Sequence, residues 1–211
     1  MDEEITEEEL KRLEDVGKVV RVFENAAEKI SKYNSYDALC KDERYNSAYH
    51  KILNARKDRS CLVDKDGNVD EDSLAIVEEG LIAFDMDRQI NNHFRDRLRK
   101  KLNDVDTKVL LKRFTKFTIF SSNIEDIKSD TKDFFETLRA TGHDGLSSRG
   151  DQFGVGATKI MNFLFPKLFV IADQWVRKGL RKTGFMDFQK YWSILMICRK
   201  ELEEWRTIHG N

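Results

Sequence analysis

Gly154-Val155-Gly156-Ala157-Thr158-Lys159 is the stretch whose residue types and spacing best suit chemistry. A Gly-x-Gly turn that opens a helix presents several backbone N–H groups, and with the helix dipole they form a receptor for one phosphate. Glycine lets such a backbone approach a ligand without a Cβ clash. Lys159, in the first helical turn, adds either a charge-assisted contact or an amine nucleophile. An ordinary glycine-rich helix start with a solvated lysine produces the same string, and spacing alone does not separate the two. A nucleotide loop is disfavoured. The Walker pattern GxxxxGK[ST] fails because Ala157 follows Gly156, and GxGxxG fails because Lys159 holds the third glycine position.

Other candidate sites are poorer. Asp64-Lys65-Asp66-Gly67-Asn68 matches the start of an EF-hand loop, but Val69 stands where the loop's glycine belongs and Ala75 where its bidentate glutamate belongs. A plain turn is the expectation. Cys40, Cys61 and Cys198 are widely spaced, and His50, His93, His143 and His209 are scattered, so no zinc site and no other cofactor is expected. An odd, unpaired set of cysteines fits free thiols in a reducing cytoplasm.

The 211 residues carry a formal net charge of −1, which excludes a uniformly basic nucleic-acid coat but not a local patch. Between Arg88 and Lys116 there are ten basic residues, among them Arg95, Arg99 and Lys100, against three acidic ones. Arg177, Lys178, Arg181 and Lys182 form a second cluster, and the acidic start (Asp2, Glu3, Glu4, Glu7, Glu8, Glu9) offsets both. Such clusters neutralise phosphates, or they are simply solvated faces in a protein that is 36% charged. That start has no apolar leader, and no run approaches the roughly 18 apolar residues of a membrane span, so no membrane partner is expected.

The elements that must position these residues read as helices. A single proline, Pro166, disfavours a loop-rich sandwich. Thr6 and Glu9 form a capping box for a helix from about Glu7, and a second covers Asp42 to Arg56. A turn at 64–68, with at most a very short hairpin over 61–70, precedes a helix opened by Asp72 or Ser73. Ile90, Phe94, Leu98 and Leu102 recur at helical spacing, and Lys108–Phe117 is helical with an ambiguous end. Ser129 or Asp130 caps the next helix and Gly142 stops it. A loop over 143–152 leads to a helix from Gly156 or Ala157. Asp173 caps a short helix to about Lys182, and a last helix runs from Asp187 to His209. The expectation is an all-α globule of roughly eight to ten helices, as one domain or as two lobes over 1–105 and 106–211.

Phe153-Gly154-Val155-Gly156-Ala157-Thr158-Lys159, an apolar helix, and then Val170-Ile171-Ala172-Asp173-Gln174-Trp175-Val176 resemble the helix-hairpin-helix DNA glycosylase superfamily, nearest its oxoguanine glycosylase branch. The resemblance covers about residues 152–182. It implies an all-α fold, DNA as partner, and no cofactor. Asp173 would be the carboxylate that stabilises a cation-like sugar, and Lys159 the amine that forms a Schiff base. Gly154, Val155, Gly156 and Thr158 would be the hairpin on the DNA backbone, with Arg177 and Lys178 beside it. Phe153, Phe165, Trp175 and Trp192 would be candidates for walling a flipped base. Phe153 replaces the family's proline, Thr158 holds its lysine slot, and Lys159 comes one residue late. The competing expectations are a catalytically inactive protein of that fold and a non-enzymatic helical module. The module would meet a protein partner through its acidic N-terminal helix and aromatic-rich C-terminal helix.

Overall fold

Capping side chains set three of the six described α-helix starts. Residues 61–84, 86, 90, 93–142, 153–173, 176, 177, 180 and 184–209 are described in a computed structural model. The helices expected near Glu7 and over Asp42–Arg56 lie outside them. The chain divides into units Met1–Glu43 and Arg44–Asn211, and every described residue belongs to the second.

Six α-helices and one 3-10 turn follow in order, with no strand among the described residues: the fold is all-α. Helix α1 is Glu71–Ala83, and Asp70 opens it by accepting the Ser73 N–H at 2.7 Å, two or three residues earlier than the sequence suggests. Helix α2 is Phe94–Leu102. It buries Phe94, Leu98 and Leu102, whereas Ile90, one turn earlier, is not helical. Helix α3 is Val105–Phe114, and Asp104 accepts the Thr107 N–H, moving its start three residues ahead of Lys108. It ends at Phe114, where the Lys116 and Phe117 N–H groups turn to carbonyls three residues back, and further on the Ile119 N–H donates to the Lys167 carbonyl at 2.8 Å.

The 3-10 turn Ile124–Ile127 leads directly into α4, Lys128–Arg139, so neither Ser129 nor Asp130 is its cap. Asp130 instead receives Arg113. Helix α4 buries Thr131, Phe134, Phe135 and Leu138, the single stripe of an amphipathic helix. Helix α5, Gly154–Leu164, begins two residues before Gly156 and ends just ahead of Pro166. Helix α6, Phe188–His209, starts where the sequence predicts, with Asp187 accepting the Lys190 N–H at 2.8 Å. The 64–68 turn also forms as expected. Asp64 Oδ1 accepts the Asp66 and Asn68 N–H groups at 2.8 Å, and those bonds with the Asn68 amide hold its carboxyl below the ordinary range. Gly67, at φ +87°, lies against the Lys108 carbonyl, where a Cβ does not fit.

Helices on both sides of residue 105 share one apolar core, with α5 at its centre. Phe114 meets Phe134, Phe165 and Phe169 at ring distances of 5.3–5.7 Å, and Phe135 stacks on Tyr191 at 5.6 Å. Burial pushes the Tyr191 hydroxyl well above its ordinary pKa and the Cys198 thiol up to about 11, so Cys198 stays a thiol. No helix among the described residues is long and apolar enough to cross a membrane.

Glu201 of α6 is only 7% exposed, and its Oε1 has no hydrogen-bond partner among the described residues. Burial raises its carboxyl above the ordinary range; the nearby Glu204 adds to this and Lys200 opposes it. A carboxyl raised in the folded state contributes most while it is protonated, below its unfolded value, and that contribution is lost as pH climbs through the folded value. Glu201→Gln is therefore expected to melt about 2–4 °C above the parent near pH 8, with the gap closing near pH 4. Thermal melts at both pH values check this, and an equal gap at both shows that the carboxyl does not titrate.

Candidate functional site

Helix α5 carries most of the candidate residues, and it is buried nearly all round: among its residues only Val155 and Asn162 are partly exposed. The glycines at its start are explained by what surrounds them. A Cβ on Gly154 would lie 2.2 Å from the Met186 carbonyl oxygen, and one on Gly156 would lie 2.5 Å from the Phe153 ring. The same ring fills the space beside Gly142 and meets Phe94 edge-on at 5.8 Å. The close approach that glycine permits is thus made by this chain's own Met186 and Phe153. The first-turn N–H groups of α5 have no side-chain cap from Phe153.

Lys159 is 5% exposed. Its Nζ donates to the Phe84 carbonyl at 3.1 Å and stands 4.9 Å from the centre of the Phe84 ring. Phe84 is the C-terminal cap of α1, so the ammonium meets the negative end of a helix dipole and an aromatic face together. One residue back, Thr158 points elsewhere, as the 100° step of a helix requires. Its hydroxyl donates to the Val155 carbonyl at 2.8 Å and accepts the Ala172 N–H at 3.2 Å. That bond ties the residue before Asp173 to the first turns of α5. Asp173 is half-buried and accepts the Val176 N–H at 2.9 Å, the expected cap.

Arg177 binds the Gly184 carbonyl at 2.5 Å and the Asp173 carbonyl at 3.3 Å. The structure therefore brings together the start of α5, the Ala172–Asp173 segment, Arg177 and the Gly184–Asp187 turn. Lys178, Arg181, Lys182, Trp175 and Arg88 lie outside the described residues, as does the loop expected over 143–152. Phe153, Phe165 and Trp192, the other candidate base walls, are all buried in the core. Sequence reasoning missed Phe185, which projects from the Gly184–Asp187 turn and is 66% exposed. The signal available was its place just after Gly184 and before the last helix's apolar stripe, where no helix face claims it.

The basic segment separates by residue type. Arg95 pairs with Glu78 through Nε at 2.6 Å. Arg99 grips Glu71 with two bonds of 2.6 Å and Asp96 at 2.8 Å, and it holds the Glu71 carboxyl below the ordinary range. Arg97 donates to the Thr141 carbonyl at 3.0 Å, and Arg113 takes Asp130 and the Asp126 carbonyl. These arginines fasten α2 to α1 and α3 to α4. Among the described residues, Lys100, Lys101, Lys108 and Lys116 make no ion pair, and Lys112 pairs with Asp66 at 3.8 Å. No group of three or more His, Cys, Asp or Glu able to hold a metal occurs among the described residues.

Gly154→Ala is expected to destabilise the fold by about 1–3 kcal/mol, because the Met186 backbone must move. Lys159→Ala should cost more than Lys159→Met, which refills the volume and removes the buried charge. Urea unfolding of the three variants checks both statements. A Gly154→Ala protein as stable as the parent sinks the packing role of that glycine. Comparison of the chain with protein-family models, with curated proteins and with solved structures finds no match.

Proposed function

We propose that this chain is a helical DNA-binding protein whose affinity comes from the lysines at the α2–α3 corner and along α3, and that it acts without a Schiff-base step at Lys159. The observation that carries the reading is the division of labour in the basic segment. Arg95, Arg99 and Arg113 are taken by carboxylates, while Lys100, Lys101, Lys108 and Lys116 keep their charge uncompensated. Phosphates require only such point charges for non-specific affinity. Exposed Val105 and Val109 lie on the same helix as Lys108, giving the surface some apolar area beside the charge.

Base release is the second reading. Its support is the bond from the Ala172 N–H to the Thr158 hydroxyl, which ties the residue before Asp173 to the helix that Gly154 opens. In that reading the carboxylate of Asp173 faces the developing charge on the sugar. This reading leaves Lys159 out: a Schiff base requires an amine that reaches the sugar carbon, and the Lys159 side chain is buried with its amine on the Phe84 carbonyl.

Binding to a duplex should weaken linearly on a log–log salt plot. Replacing Lys100, Lys101, Lys108 and Lys116 together by Ala should lower that slope by about 3–4. A slope that does not change, or a parent protein that fails to bind at low salt, removes the proposal. Borohydride with an abasic duplex should trap no covalent species; trapping that disappears in Lys159→Ala restores the amine as a nucleophile. Base release from a lesion-bearing duplex should, if present, be lost in Asp173→Asn, and its persistence there removes the second reading.

A further inference from the structure

We infer that Phe185 is a stacking platform for an unpaired base of single-stranded nucleic acid. The inference rests on the nucleic-acid reading and adds a contact that phosphate neutralisation does not supply.

Every group around the ring is anchored. Gly184 adopts φ +90°, and its carbonyl accepts Arg177 at 2.5 Å. The Phe185 carbonyl accepts Lys190 Nζ at 2.6 Å. Met186 is buried, and its carbonyl lies against Gly154. Asp187 is fixed by accepting the Lys190 N–H. Backbone freedom is thus already removed on both sides of residue 185, while the ring itself faces solvent. Of the described phenylalanines it is the only exposed one; the others are buried or half-buried. Leaving it outside forgoes about 1.5–3 kcal/mol of burial.

The chemistry beside the ring selects the occupant. Among the described residues Arg177 is bonded to the carbonyl oxygens of Asp173 and Gly184 and to no carboxylate. Lys190 brings a second cation to the same turn. A flat π-face next to positive charge suits a nucleobase with its phosphate, and a rigid aromatic gains most from stacking because little freedom remains to be lost. A purely apolar pocket on a protein partner would find those cations a desolvation cost.

The test uses the full chain, a labelled 12-mer of thymidine and an abasic 12-mer of equal charge, read by fluorescence anisotropy. The parent should bind the thymidine strand about tenfold or more tightly than the abasic strand. Phe185→Leu should lose that preference and bind both strands as the parent binds the abasic one, with its salt slope unchanged. Phe185→Trp should keep the preference, which also shows that the turn tolerates substitution. A Phe185→Leu protein with the parent's preference, or a parent without any preference, overturns the stacking role while binding itself stands. A parent that binds neither strand nor a duplex at low salt overturns both the stacking role and the reading beneath it.

Discussion

A helix buried on nearly every side is the constraint from which the rest of this fold follows. Helix α5 has no broad solvent face, so each of its positions must match whatever packs there. Small residues admit close neighbours: Gly154 the Met186 backbone, and Gly156 the Phe153 ring. Its polar residues need partners supplied by other segments. Thr158 finds the Ala172 N–H, Asn162 the Phe169 carbonyl, and Lys159 the Phe84 carbonyl. The exposed end of the backbone ladder is met in the same way, with the Leu62 N–H donating to the Leu164 carbonyl. Four segments, around residues 62, 84, 169–172 and 186, are fixed by one eleven-residue helix.

Around that centre, charge is used in two ways. Arginine's planar fork is suited to bidentate pairing, and Arg99 on Glu71 uses it across 28 residues of chain. Arg95 and Arg113 each pair with a single carboxylate oxygen of a neighbouring helix. Pairs of this kind at a surface contribute little stability individually, but they orient helices whose apolar contacts do the rest. Among the described residues, Lys100, Lys101, Lys108 and Lys116 are left out of the stitching. A net charge of −1 therefore conceals a local surplus, because the counted acids and bases are not equally available.

Much of the architecture was legible. Helical periodicity located α6 within a residue or so and the start of α4 within two or three, since each has an apolar stripe facing the core. Asp173 reads correctly as a cap because a cap is a local event between residues three apart. The starts of α1 and α3 were misplaced because more than one nearby residue could cap, and only the built turn chooses Asp70 and Asp104. The 3-10 turn before α4 escaped notice because Ile124 and Ile127 bury at three-residue spacing, which a helix pattern absorbs. The non-local part was not legible at all. No periodicity says that Lys159 will meet residue 84, that Arg177 will hold Gly184, or that Phe185 will stay outside.

Glycine pairs and a lysine at a helix start are also ambiguous for a physical reason. A phosphate and a crossing backbone make the same demand on a helix: no Cβ, and donors close at hand. A buried ammonium and a catalytic amine likewise both need a low-dielectric pocket with an oxygen nearby. The string Gly154–Lys159 satisfies all of these at once. What separates them is which atom occupies the space, and here the Met186 oxygen, the Phe153 ring and the Phe84 carbonyl occupy it. The exposed groups follow the opposite logic. Phe185 and the exposed lysines answer no demand of the fold among the described residues, so their chemistry, unlike that of α5, faces solvent.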